Sequence, residues 1–126
     1  MKTILIVDDS REIRELVKMT LECDDCRIIE ASSGKQAIES ASRKNPEIII
    51  MDLFMPGEID GLEATRRIKS KPGLSECNII ILTGSRYTHK EEALEAGADD
   101  FLQKPFSPLT LIDKVEHILK NQTHYG

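Results

Sequence analysis

Five residues of this chain could do chemistry together: the acidic pair Asp8-Asp9, the lone Asp52, the hydroxyl of Thr83 and the ammonium of Lys104. Each stands at or just past the end of a short apolar run. Three carboxylates brought to one place repel one another, and each unit of induced pKa shift is worth about 1.4 kcal/mol. A hard divalent cation relieves that repulsion, and Mg²⁺ prefers a few carboxylates together with waters and phosphate oxygens. The compact charge of Lys104 and the donor of Thr83 both suit phosphate. A carboxylate beside such a site can itself accept a phosphoryl group, forming an acyl phosphate. Metal and lysine would then offset the charge spread over the equatorial oxygens during transfer. Taken singly, each piece has an ordinary reading. Asp8-Asp9 could cap the first helix, Thr83-Gly84 is a common turn, Lys104-Pro105 is a loop dipeptide, and Asp52 could cap or pair. The coincidence of four strand ends carries the chemical reading.

Those strand ends are set by five apolar runs: Thr3–Val7, Arg27–Ala31, Ile48–Met51, Ile79–Leu82 and Phe101-Leu102. Three are continuous and rich in β-branched residues, as parallel strands covered on both faces require. The second and fifth are shorter and more mixed, which suits positions nearer a sheet edge. Helical segments alternate with them. Residues 10–23 place Ile13, Leu16, Val17 and Leu21 on one stripe. Ser33 with Gln36 forms a capping box, and Pro46 stops that helix. Asp60 with Glu63 begins the next, which ends at Pro72-Gly73. Thr88 with Glu91 opens a fourth, closed at Gly97. Ser107-Pro108 starts the last, whose buried face is Leu111, Ile112, Val115, Ile118 and Leu119. A β-α unit repeated five times implies an α/β fold with a parallel sheet. In such sheets ligands bind beyond the carboxyl ends of the strands. Asp52 is therefore expected to emerge at the sheet edge rather than to be a buried charge.

The 126 residues suffice for one domain, read as 1–120 with a short polar tail at 121–126. A net charge of −5 argues against direct nucleic-acid binding, which needs a basic stripe. No apolar run approaches the ~20 residues needed to cross a bilayer, and Met1-Lys2 leads straight into a strand without a signal peptide. A cytoplasmic location is expected. The odd count of three cysteines does not suggest a disulfide framework, and Cys23-Asp24-Asp25-Cys26, at a helix end, reads as ordinary reduced thiols.

At "ILIVDDS" (4–10), "IIIMDLFMPG" (48–57), "DGLE" (60–63), "IIILTG" (79–84) and "GADDFLQKPF" (97–106) the chain closely resembles the receiver domain of two-component response regulators. The resemblance implies a flavodoxin-like (βα)5 fold with strand order 2-1-3-4-5 and helices on both faces. It implies that Asp52 accepts a phosphoryl group from a phosphohistidine on a sensor histidine kinase or a histidine phosphotransfer protein. It makes Asp8, Asp9, Asp52 and the backbone carbonyl of Phe54 the protein's share of a Mg²⁺ shell, with Asp9 the direct ligand of the pair. Mn²⁺ is expected to substitute. Thr83 and Phe101 match the two switch positions and Lys104 the phosphate-binding lysine. Pro105 follows a cis bond in the family, and Gly84 matches a small position beside the acceptor. The implied output is a changed partner-binding surface on the fourth helix, fifth strand and fifth helix, in a monomer or a phosphorylation-dependent dimer. With no further domain after residue 120, output is expected to run through another protein, unless the chain is a receiver cut from a larger regulator or hybrid kinase.

Two places depart from the common pattern. Four steps separate Pro56 from Asp60, one more than usual, so Glu58-Ile59 carries an inserted residue; Glu58 is expected to point into water. Phe54 and Ser85 stand where relatives that lose phosphate quickly carry an amide and an acid, so slow self-dephosphorylation is expected. A phosphohydrolase with an aspartyl nucleophile fits poorly, because Leu53-Phe54 follows Asp52 without a second aspartate two residues on. No G-x-G-x-x-G follows the first strand, and Gly34-Lys35-Gln36 makes no P-loop.

Overall fold

The computed structural model describes residues 2–84 and 90–123. Strands β1 (Lys2–Val7), β2 (Cys26–Ala31), β3 (Ile48–Asp52), β4 (Asn78–Thr83) and β5 (Asp100–Gln103) alternate with helices α1 (Arg11–Leu21), α2 (Gly34–Lys44), α3 (Gly61–Ser70), α4 (Lys90–Glu95) and α5 (Pro108–Thr123). All strand pairs are parallel, in the order β2-β1-β3-β4-β5. This is the expected fold class and order. Helix α5 continues to Thr123, so the backbone of the first three residues of the supposed tail is helical.

The sheet separates two apolar clusters. Leu5, Val7, Ile49, Met51, Ile79 and Ile81 face one way, against Ala37 and Ala41 of α2, Ala64 and Ile68 of α3, and Ala93 of α4. Ile4, Ile6, Ile48, Ile50, Ile80 and Leu82 face the other way, against Val17 and Leu21 of α1 and Leu111 and Val115 of α5. Successive side chains of a strand point to opposite faces, so a strand with a cluster on each side must be apolar at every position. The unbroken Ile-rich runs of β1, β3 and β4 have that cause.

Local capping fixes where α1, α2 and α3 begin. Ser10 caps α1, its hydroxyl accepting from the Ile13 N–H at 3.3 Å; the Asp8-Asp9 pair is not the cap. Ser33 accepts from Gln36 N–H, and Gln36 Oε1 reaches back to the Ser32 N–H at 2.9 Å rather than to Ser33 itself. Asp60 caps α3 through the Glu63 N–H at 2.9 Å, while the Glu63 carboxylate pairs outward with Arg66 and Arg67. Asn45 closes α2 with φ 49°, a left-handed conformation that asparagine tolerates. Thr88 lies outside the described residues; Gly97, after α4, has φ 108°.

Two expectations fail here. Leu16, assigned to the buried stripe of α1, is 45% exposed, because the α1 contact with the sheet runs along Val17 and Leu21 with Ile13 at its margin. Cys23 and Cys26 are not separate thiols but are joined by a disulfide, their Cα atoms 5.2 Å apart, within the range such a bond needs. The turn after α1 folds back to start β2, with the Cys26 N–H donating to the Cys23 carbonyl. That return brings the pair together, and helix periodicity does not report it.

Candidate functional site

The carboxyl ends of β1, β3, β4 and β5 deliver Asp8, Asp52, Thr83 and Lys104 to one edge of the sheet. Asp52 is the last residue of β3 and lies opposite Leu82 in the β3–β4 register. The Leu53 N–H donates to the Leu82 carbonyl and the Lys104 N–H to the Thr83 carbonyl, so the strand ends are tied past their last ladder rungs. Carboxylate oxygens of Asp8, Asp9 and Asp52 all lie within 4.8 Å of one another, the only such group of potential metal ligands among the described residues. Asp9 is exposed, whereas Asp8 and Asp52 are buried.

The expectation that Asp52 escapes burial is corrected: its residue is only 6% exposed, like Asp8 at 2%. The charge is tolerated because Lys104 reaches both acids. Its Nζ lies 2.9 Å from Asp8 Oδ2 and 3.2 Å from Asp52 Oδ1. One ammonium does not balance the cluster. Burial first, then the neighbouring charge of Asp8, push the Asp52 carboxyl up from 3.8 to about 6, against the pull of Lys104. Burial works against the charged form of Lys104 too, but its hydrogen bond to Asp8 and its attraction to Asp52 prevail and hold its pKa above the usual lysine value. Two or three acids facing one lysine form a cation-deficient site of hard oxygen donors, the donor set that Mg²⁺ prefers.

Backbone packing holds Asp52 from behind. A Cβ on Gly61, the first residue of α3, would stand 1.9 Å from the Asp52 carbonyl oxygen, and the Gly61 N–H donates to the Leu53 carbonyl at 3.0 Å. A Cβ on Gly34 would stand 2.3 Å from the Ile59 carbonyl oxygen. The loop between β3 and α3 is therefore seated by two glycines at which a side chain has no room. Glu58 is exposed and points to water, as expected, and Phe54 is half-exposed.

Thr83 is fully buried. The β4–β5 register pairs Ile81 with Phe101 and Thr83 with Gln103, so Phe101 and Thr83 are diagonal neighbours on one face of the sheet. Phe101 is partly buried and packs on the cluster under α2, α3 and α4. The Lys104–Pro105 bond is cis. Gly84 is exposed, and among the described residues a Cβ there would meet only the Lys104 side chain, at 4.0 Å. Ser85 lies outside the described residues.

Sequence reasoning missed two supports of Asp8. The Ser10 N–H donates to Asp8 Oδ1 at 2.9 Å. Arg14, on α1, donates through Nη1 to the Asp8 carbonyl at 2.7 Å while its Nε pairs with Glu30 on β2. Ser10 was visible as a serine just before a helix; Arg14 carries no local signal, because its partner depends on how α1 docks.

A parallel five-stranded sheet in this order, with acids, a buried threonine and a lysine at its carboxyl edge, fits one family: the chain belongs to the response regulator receiver domain family, whose model matches residues 4–116. Among curated relatives it is 39% identical over 125 residues to the transcriptional regulatory protein ResD of Bacillus subtilis, covering 97% of this chain and 50% of that protein. It is 40% identical over 118 residues to the transcriptional regulatory protein SrrA of Staphylococcus aureus, covering 93% of this chain and 47% of that protein. The chain thus spans about half the length of the curated relatives it matches. Among solved structures it is similar to the chemotaxis protein CheY4 of Vibrio cholerae, with a TM-score of 0.85, 30% identity, and 94% and 98% of the two chains covered. The signal receiver domain of a histidine kinase from Syntrophus aciditrophicus has a TM-score of 0.87 and 34% identity, with 96% and 92% covered.

Proposed function

We propose that Asp52 is the phosphoacceptor of this receiver and that its phosphorylation resets a protein-binding surface. The observation that carries the reading is the fork of Lys104 between Asp8 and Asp52 at a cluster still short of positive charge. An oxygen of the Asp52 carboxylate attacks phosphorus; the bond from phosphorus to the donor's imidazole nitrogen breaks, and its electron pair stays on that nitrogen. The donor is a sensor histidine kinase or a histidine phosphotransfer protein. Asp8, Asp9, Asp52 and the Phe54 carbonyl would hold Mg²⁺, or Mn²⁺ in its place, with Asp9 the direct ligand of the acidic pair. Bound there, the ion neutralises both the acids and the transferred group. Lys104 exchanges part of its hold on Asp52 for the phosphate, and Thr83 turns its hydroxyl to the same oxygens. Phe101, the diagonal neighbour of Thr83, takes up the space that it leaves, and Gly84 keeps the acceptor accessible. The packing of α4, β5 and α5 then shifts between two states biased by contacts to phosphate. A downstream protein, or a second copy of the chain, reads that face.

Phe54 cannot orient an attacking water, which supports slow self-dephosphorylation. No helix among the described residues is long and apolar enough to cross a membrane, and a cytoplasmic setting suits this chemistry. The half-length match to transcriptional regulators also favours a second reading, in which the chain is the receiver portion of a larger regulator or hybrid kinase. The test is incubation with acetyl phosphate and Mg²⁺ followed by a phosphate-affinity gel. A retarded band in the wild type and none in Asp52→Asn supports the proposal; a band that survives the substitution, or none in either, overturns it.

A further inference from the structure

Far from Asp52, at the amino edge of the sheet, Cys23 and Cys26 are joined across the turn that leads from α1 into β2. Cys23 is exposed, whereas Cys26 is half-buried and packs on the α1/α5 cluster. Both border a cavity of about 260 Å³ whose other walls include Leu21, Ile112, Val115 and Leu119. The third cysteine, Cys77, is buried, and burial pushes its thiol up to about 12. We propose that Cys23 and Cys26 form a reversible dithiol–disulfide site that exchanges with thiols and disulfides in solution, with Cys23 as the exchanging sulfur and Cys26 as the resolving one.

The two sulfurs divide the work by access. In oxidation, the Cys23 thiolate attacks one sulfur of a low-molecular-weight disulfide and expels the other half as a thiolate. Cys26 then attacks the Cys23 sulfur of the mixed disulfide, closing the internal bond and releasing the second thiol. Two protein thiols are oxidised and one external disulfide is reduced to two thiols; a dithiol runs the same steps backwards. The bond encloses only Asp24 and Asp25, and the stabilisation from closing a loop grows with its length. The buried residues of the two apolar clusters include neither Cys23 nor Cys26, so the fold is expected to hold with the bond open. An exposed sulfur in a short ring that the fold does not need is suited to turning over; a structural staple would close a long loop.

The site is tested on the whole chain by maleimide labelling after equilibration in mixtures of oxidised and reduced dithiothreitol. Native protein is expected to take two labels when reduced and none when oxidised, with Cys77 labelled only after unfolding. A second measurement uses oxidised glutathione and intact mass: Cys26→Ser should trap one glutathione on Cys23, and Cys23→Ser should react markedly more slowly. Two native labels under all conditions, or equal rates for the two variants, would overturn the proposal. Asp52 takes no part in either readout, so the outcome is independent of the phosphoacceptor reading.

Discussion

Asp52 is a buried carboxylate whose neighbours do not fully compensate it, and this has consequences before any phosphate arrives. Its folded pKa of about 6 lies above its unfolded value, near 3.8. The folded state therefore binds the proton more tightly, and stability is lost as pH rises from about 4 to about 6 and stays lost above that range. Asp52→Asn should stabilise the metal-free protein at pH 7 by on the order of 2–3 kcal/mol, the size of that shift. Thermal unfolding in a chelator checks this, and an unchanged or lower midpoint would contradict it. In the wild type, divalent cations must displace this proton once the pH falls below about 6. Mg²⁺ affinity, followed by calorimetry, should be nearly flat between pH 7 and 8 and should decline below pH 6. Asp52→Asn should lose that decline along with most of the affinity.

At the scale of elements, the position of Asp52 depends on how α3 begins. Gly61 lets the first turn of α3 lie against the Asp52 carbonyl. Gly61→Ala should push that turn and the strand end apart, costing about 1–3 kcal/mol and slowing acetyl phosphate labelling, with denaturant unfolding and the labelling rate as the two measurements. The elements themselves were largely readable in the sequence, because apolar runs, caps and glycine or proline stops are local signals. The boundaries of β5 were less so, since Asp100 and Gln103 flank Phe101-Leu102 as polar residues and pair only because β4 presents a free edge, whereas β2 adds only Cys26 to the run at 27–31. Leu16 misled because a helix stripe wider than the contact looks the same in sequence as one that fits. Ser10 and Arg14 were missed for a related reason: the Ser10 N–H reaches Asp8 only in the folded turn between β1 and α1, and the Arg14 contact exists only once α1 has docked.

For the whole molecule, the sheet joins the proposed acceptor to the surface that would respond. Lys104 directly follows β5, its backbone N–H donates to the Thr83 carbonyl, and its side chain holds Asp52, so one residue touches both the site and the strand end beneath the proposed output face. Lys104→Met should leave some phosphorylation at Asp52 yet remove the accompanying shifts of backbone amide resonances in α4, β5 and α5. Resonance shifts as large as those of the wild type would deny Lys104 this coupling role. The convergence of Asp8, Asp52, Thr83 and Lys104 was foreseeable, because the parallel order places all four strand ends on one edge. The burial of Asp52 was not, because it depends on the β3–α3 loop and on Lys104 covering the edge together. The disulfide was also hidden, being a product of the chain's return into an edge strand.

The most direct test of the central claim is chemical mapping of the phosphorylated residue. Protein treated with acetyl phosphate and Mg²⁺ is trapped with borohydride, which reduces an aspartyl phosphate to homoserine, and its peptides are then sequenced by mass spectrometry. Conversion confined to Asp52, and lost when Mg²⁺ is chelated, is the expected result. Conversion at Asp8 or Asp9, or none at Asp52, would contradict it.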